Sequence, residues 1–313
     1  MALNTLDHAV ADASRRRVRR RSQARSLTLF GLGMVAPAVV LYAAFVIYPL
    51  LRGAWISLFR WDGLSAVMTW VGVDNYVWAF QDQAFWAAVQ HTFVYAIATT
   101  IVKNLLGFVL ALLLSRNGRI MGFLRTAAFL PVTMSFVVIG ILFSWIFNPT
   151  FGLADGLFQL LGIPDLAPGW LSDPNVALWS VIFVDIWKWT GFHMVLYLGA
   201  LAAIPAEINE AAALDGASGL RRVRHITIPL IIPTLAFSTL IALTGAFVSN
   251  YDLVYVMTGG GPMGSTEVAL TYITKQSLGT SKVGYANAMS MILFVGVAVL
   301  GALQLWFMRR SRR

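Results

Sequence analysis

An all-α membrane protein with six transmembrane helices is the fold class the sequence predicts, and three observations carry the prediction. The first is composition. Of 313 residues, 58% are hydrophobic and 12% charged, whereas a soluble domain has about 25% charged residues. The second is the spacing of six apolar runs, each long enough for the ~20 helical residues that cross a bilayer of about 30 Å. The third is the basic residues, which sit at the ends of those runs and mostly at alternate ends. Mean hydropathy is +0.72, so one multi-span domain fits the length better than two soluble ones.

The chain opens with a polar stretch over 1–26 that carries Arg15, Arg16, Arg17, Arg19, Arg20, Arg21 and Arg25. Such a run suits acidic lipid or nucleic acid; its simpler reading is a cytosolic anchor that fixes orientation. The expected organisation is this Arg-rich tail over 1–26 and a six-span domain over 27–313. Residues 27–51 are uncharged and too long for a secretory signal core, so they read as a retained first span, kinked near Pro37. Tryptophans 55, 61, 70, 78 and 86 crowd the next segment, as at a membrane–water interface, and 76–90 reads as an interfacial helix.

Span two is expected over 91–115, with Lys103 inside it and Arg116, Arg119 and Arg125 beyond its exit. Span three is expected over 126–147, with Pro131 near its start. Residues 148–175 hold no Lys or Arg. Span four, over 176–203, contains Asp185 and Lys188; three apart on one helix, they are expected to neutralise each other. Lys103 has no acidic neighbour in sequence and faces either a partner subunit or a wet cavity. Span five is expected over 226–251 and span six over 285–308, ahead of a C-terminal Arg309-Arg310-Ser311-Arg312-Arg313.

Orientation follows from charge. With the tail inside, the inside segments hold 17 of the 23 lysines and arginines, and the outside loops only Arg52, Arg60, Lys275 and Lys282. The positive-inside rule is obeyed at every turn, so both termini and the loop before span five are expected in the cytosol. This clustering at span ends points to membrane lipid as a partner and argues against nucleic acid.

No catalytic constellation stands out. The chain has no cysteine, which excludes thiolate metal sites and cysteine nucleophiles. None of the four lysines follows a glycine, so there is no phosphate-binding P-loop. His8, His91, His193 and His225 are scattered without metal-ligand spacing, and no metal site is expected. A membrane protein without its own ATP site can draw on ATP only through another protein.

The loop over 204–229 shows how. Pro205 suits the start of a helix, Glu207 and Glu210 suit its dipole, and an Ala-rich run reaches Gly216, which can end a helix in the left-handed conformation. A basic half with Arg221, Arg222 and Arg224 follows. The pattern is therefore a short helix, a Gly bend and a second short helix at the membrane surface. Glu210, Ala211, Ala212, Gly216, Ile226 and Pro229 also match the EAA motif of ABC importer permeases, Glu-Ala-Ala, three residues, Gly, nine residues and Ile-x-Leu-Pro, with Ile228 in place of the usual Leu. The chain thus resembles that family, and the resemblance implies the ABC type I importer fold.

In the family the EAA loop is a cytosolic coupling helix that docks in a groove on an ATPase. The resemblance assigns that role to Glu210, Ala211, Ala212, Asp215, Gly216, Arg221, Arg222, Ile226 and Pro229. It implies a second, MalG-like permease subunit, two ATP-binding subunits, an extracytoplasmic solute-binding protein and a location in the cytoplasmic membrane of a prokaryote. It also implies no enzymatic activity and no cofactor in this chain, with ATP and Mg on the partners.

The segment 250–262, Asn-Tyr-Asp-Leu-Val-Tyr-Val-Met-Thr-Gly-Gly-Gly-Pro, resembles the end of span five in the MalF-like carbohydrate branch, as do Leu201 to Pro205 and Ala217-Ser218. Carried over by motif position, the substrate pathway comprises Phe247, Asn250 and Tyr251 on span five and Trp187, Gly191, Phe192, Met194 and Tyr197 on span four. Two alternatives stay open: an ABC permease for a non-sugar solute such as glycerol phosphate or a polyamine, and an ion-coupled secondary transporter, which would need membrane-embedded carboxylates.

Overall fold

The computed structural model describes residues 33–163, 167–215, 217 and 219–310. The Arg-rich tail over 1–26, its boundary with the span domain and Gly216 lie outside the described residues. The chain divides into two compact units, Met1–Ile56 and Ser57–Arg313.

In the first unit, span one runs Gly33–Ile56. Its irregularity is a π turn at Ala43–Ile47, and the helix continues through Pro37. Pro37 has no amide to donate, and the one helical bond it gives up would have gone to the Gly33 carbonyl.

The second unit opens with two short antiparallel strands, Phe59–Arg60 and Thr69–Trp70, and a helix over Asp74–Gln81. Buried Asn75 ties that helix to the strand, its Nδ2 donating to the Ser57 and Phe59 carbonyls at 2.8 Å each. Asp82 then leaves helical geometry and caps span two, Gln83–Leu113, its Oδ1 accepting from the Ala84 and Phe85 amides. The expected interfacial helix over 76–90 is therefore two pieces, a separate helix up to Gln81 and the outer turns of a 31-residue span.

Span three is broken. Arg119–Phe129 passes into a 3-10 turn at Leu130–Thr133, and a second half over Phe136–Ile146 leaves at 101°. Pro131 cannot donate a helical hydrogen bond, and Ser135 starts the second half by accepting from the Val138 amide at 3.2 Å. Span four is Ala177–Ala202, span five Ile228–Met257 with Pro233 inside it, and span six Val283–Arg310. Among the described residues five helices are thus long and apolar enough to cross a membrane, and the bent pair counted as one span makes six.

Span four lies at the centre. Within its most apolar window 56% of residues are buried, against 33% for span two and 11% for span six. It packs mainly on span two, and the principal core joins Tyr95 of span two, Ile139 and Phe143 of span three, Val181 and Val184 of span four, and Phe247 and Leu253 of span five.

The break in span three frees backbone carbonyls where no bulk water can satisfy them. Lys188 of span four answers that need: its Nζ donates to the Pro131, Val132 and Met134 carbonyls at 3.2, 3.3 and 2.5 Å. The ammonium also lies 4.8 Å from the Phe136 ring centre and 5.4 Å from that of Trp189. Replacing Lys188 by Met removes the donor to the Val132 and Met134 carbonyls, while that of Pro131 keeps the Met134 amide, at roughly 1–3 kcal/mol for each carbonyl not re-satisfied. The expected outcome for Lys188→Met is a clearly lower unfolding temperature of the solubilised protein, measured by thermal shift.

Candidate functional site

The coupling loop emerges where span four ends. Only residues 203–205 separate Ala202 from a helix over Ala206–Leu214. Glu207 lies in its first turn, where the dipole favours a carboxylate. Glu210 and Ala211 face outward, Ala212 turns inward with 5% of its surface exposed, and Asp215 is exposed beyond the last turn. The Asp215 amide donates to the Ala211 carbonyl at 3.0 Å and the Ala217 amide to that of Ala212 at 2.9 Å, so the end of the helix folds back on itself.

The left-handed residue described here is Gly219, at φ +50. The basic half is not the separate second helix expected from the sequence. Gly219–Arg222 runs through a π turn at Val223–Thr227 directly into span five, because nothing after Gly219 stops the helix. Arg221 is exposed, while Arg222 and Ile226 are partly buried at the base of the span and Pro229 is exposed one turn further on. Leu214 and Leu220, exposed to 90% and 81%, flank the turn. Two large exposed apolar side chains near exposed Glu210 and Ala211 have the make-up of a docking face, with a hydrophobic centre and a polar edge.

The span residues do not gather at one place. Trp187 is half-exposed and meets Phe143 edge-on at 5.2 Å. Gly191 is a contact point: a Cβ there would collide with the Ala128 carbonyl, so the residue lets span four press on the first half of span three. Phe192 packs edge-on against Trp189 and His193. Met194 and Tyr197 belong to a cluster with Ala111 and Ile231, whereas Phe247 sits in the principal core and meets Phe93 at 5.6 Å. Tyr251 stacks on Tyr255 at 5.5 Å. Asn250 is fully buried, and among the described residues neither its amide oxygen nor its amide nitrogen has a hydrogen-bond partner.

The intramembrane charges are paired differently from the expectation. Asp185 forms an ion pair with Lys103 of span two, both essentially inaccessible, and Lys188 turns away to the break in span three. Lys103 therefore has an acidic partner within this chain. Beside the pair runs a polar chain that the sequence did not announce. Asn104 Oδ1 accepts from the Tyr197 hydroxyl at 2.6 Å and from Ser238 Oγ at 2.7 Å, and Ser238 in turn lies 2.7 Å from His193 Nδ1. Gly107 makes room for it, since a Cβ there would strike His193. The available signal was a set of polar residues, Asn104, His193 and Ser238, inside three separate apolar runs. Among the described residues no group of three or more His, Asp or Glu side chains is placed to hold a metal ion.

A buried ion pair is costly to break and cheap to replace. Lys103→Met alone strands the Asp185 carboxylate and is expected to destabilise by roughly 3–5 kcal/mol, while Lys103→Met with Asp185→Leu recovers most of that loss. Unfolding temperatures of the two variants, read side by side, check the pairing.

With this geometry in view, comparisons with known proteins are informative. The family of binding-protein-dependent transport system inner membrane components matches residues 103–313, from the buried lysine of span two to the C-terminus. The probable ABC transporter permease protein YurN of Bacillus subtilis is 34% identical, over 89% of this chain and 95% of its own length. The lactose transport system permease protein LacF of Rhizobium radiobacter is 33% identical, over 94% of this chain and 98% of its own. Among solved structures, a chain of a bacterial ABC transporter involved in the import of the acidic polysaccharide alginate superposes with a TM-score of 0.79. That match covers 92% of this chain and 97% of the other, at 22% identity. The broken third span, the central fourth and the short helix between spans four and five accordingly belong to a permease: this chain is a member of the binding-protein-dependent transport system inner membrane component family.

Proposed function

We propose that this chain is one of two permease subunits of an ABC importer, and that it moves a saccharide delivered by a binding protein outside the membrane. One of two ATP-binding subunits in the cytosol would grip the Ala206–Leu214 helix, with both termini of the chain on that side. The observation that supports this reading is the exposed face at that helix: Glu210, Ala211, Leu214 and Leu220 are all exposed, in a loop that the positive-inside rule assigns to the cytosol. ATP and Mg would act on those partner subunits, and this chain would need neither.

The substrate class rests on LacF, whose name specifies lactose and whose sequence aligns over nearly the whole of both chains. Alternating access is supported by Asn250. An amide buried in a span without partners costs roughly 1–3 kcal/mol, which makes sense if a second state turns it toward a polar solute. Phe247 lies one helical turn before it and would offer the aromatic face that a sugar ring packs against.

Glu210→Lys reverses the charge at the docking face without touching the span core. In the complete transporter it is expected to lower both copurification of the ATP-binding subunits and lactose uptake by about tenfold or more, the effect of losing ~1.4 kcal/mol at that contact. Normal uptake in Glu210→Lys at equal expression would refute the coupling role. Uptake abolished by a protonophore yet insensitive to ATP depletion would favour an ion-coupled carrier instead.

A further inference from the structure

The side of the bundle opposite the coupling helix carries a cavity of about 670 Å3, built entirely from residues of the second unit. Its wall comes from the loop before span two, the helix over Asp74–Gln81 and the segment entering span six. That volume lies within the roughly 300–1,000 Å3 of small-molecule sites. It is separate from the span residues assigned above to the translocation path, none of which lines it.

The wall is constructed. Gly284, at the start of span six, donates its amide to the Trp61 carbonyl at 3.2 Å, and a Cβ there would strike the Phe59 carbonyl. Only glycine permits this approach, which joins the entry of span six to the strand beneath the cavity. Asp82 contributes a second join. Its Oδ2 accepts from the hydroxyls of Tyr272 and Tyr285 at 2.7 Å each, while its Oδ1 caps span two. Burial pushes the Asp82 carboxyl up, but the hydrogen bonds from Tyr285, Tyr272 and the Phe85 and Ala84 amides outweigh it and hold the group below the usual carboxylate range. Because the folded value is depressed, the clamp is intact above the ordinary carboxylate value and is lost only as pH falls below it.

Two tyrosine rings from different elements are thereby fixed in the wall. Trp61 is fixed by its Nε1–H bond to the Ser65 carbonyl at 2.9 Å, and Trp78 lies under the Arg60 guanidinium at 5.2 Å. Four aromatic rings, each held by at least one such contact, line the cavity and offer flat apolar faces at little entropic cost.

The polar groups narrow the ligand. Arg60 and Lys282 bring two positive charges, and Asp62 and Asp82 two negative ones, so the cavity has no net formal charge. Asp82 is fully occupied, whereas Asp62 uses Oδ1 for the Leu64 and Ser65 amides and leaves Oδ2 for a ligand. A phosphate or carboxylate would meet an opposing carboxylate, and an apolar molecule would strand both signs of charge. A neutral polyhydroxyl compound satisfies both, donating to Asp62, accepting from Arg60 and Lys282 and laying its C–H faces on the rings.

We propose that this outer cavity is a vestibular binding site for a neutral saccharide, formed by this chain alone and occupied before the solute enters the spans. The proposal rests on the saccharide reading above and adds a second stop to it. A protein loop is the competing occupant, and the test is arranged to expose it.

The chain contains no cysteine, so Ser281→Cys places a single labelling site at the cavity wall. With cysteine-free partner subunits, an environment-sensitive fluorophore on that residue is titrated with lactose, trehalose, maltose and maltotriose in the assembled transporter, and uptake is measured in the same vesicles. The expected result is a saturable response to at least one of these sugars without binding protein. Trp61→Ala or Trp78→Ala should weaken it about tenfold, and Trp78→Phe should restore it, which separates a lost ring from a misfolded loop. Saturable import with a silent label, or a response indifferent to both tryptophans, overturns the vestibule and leaves the proposed function standing. A response to binding protein alone, without sugar, assigns the cavity to a protein loop and also overturns it. A silent label with no import of any of the four sugars overturns both readings together.

Discussion

Within a bilayer, a backbone carbonyl that leaves its helix must find a donor inside the protein, and this requirement organises the centre of the molecule. Span three abandons helical geometry at Pro131 and turns through 101°, and the ammonium of Lys188 serves the carbonyls released there. An ammonium suits the task because it has three donors and no acceptor. Its long stem also lets a residue rooted in span four reach across to span three. Once Lys188 is committed to the break, Asp185 needs another cation, and Lys103 of span two supplies it. Three spans are thus tied by two charged side chains of span four facing different neighbours, which is consistent with span four being the most buried.

The spans were legible because hydropathy and charge distribution report directly on the solvent each segment meets. Span four was placed to within a residue, span five ends six residues later than expected, and span six is two residues longer at each end. The charges were not legible in the same way. Asp185 and Lys188 have the spacing of an intrahelical pair, but that spacing gives only proximity on one helix. The competing partners, Lys103 and the carbonyls beside Pro131, lie some fifty to eighty residues away and become neighbours only through packing. The bend was not foreseen: Pro131 was placed near the start of an unbroken span over 126–147, and neither the angle nor the stabilising cation follows from the local sequence. Gly191 was readable as a close-approach residue, whereas the chain from Asn104 through Ser238 to His193 joins three spans and has no local signature.

The loop proposed for coupling is marked by a motif and the proposed outer cavity by none, for a physical reason. A docking helix is a contiguous surface whose spacing is written along the chain. The cavity is assembled from residues about 200 positions apart, as when Tyr285 reaches Asp82. In sequence its tryptophans looked like an interfacial belt, which accounts for aromatics near a membrane without a cavity between them. Asp82 combines both levels: a helix cap readable locally and a clamp on two distant hydroxyls that only the fold reveals.

The shortness of the connection between span four and the Ala206–Leu214 helix has a mechanical consequence. Three residues leave little slack, so a sideways push on that short helix arrives at the foot of the central span almost undiminished. Higher up, Lys188 and the Gly191–Ala128 contact rivet this span to its bent neighbour at two levels, and the pair must swing as one stiff arm. Compliance then falls to the joints lacking such rivets, and a force applied at one face of the membrane is converted into motion near the middle.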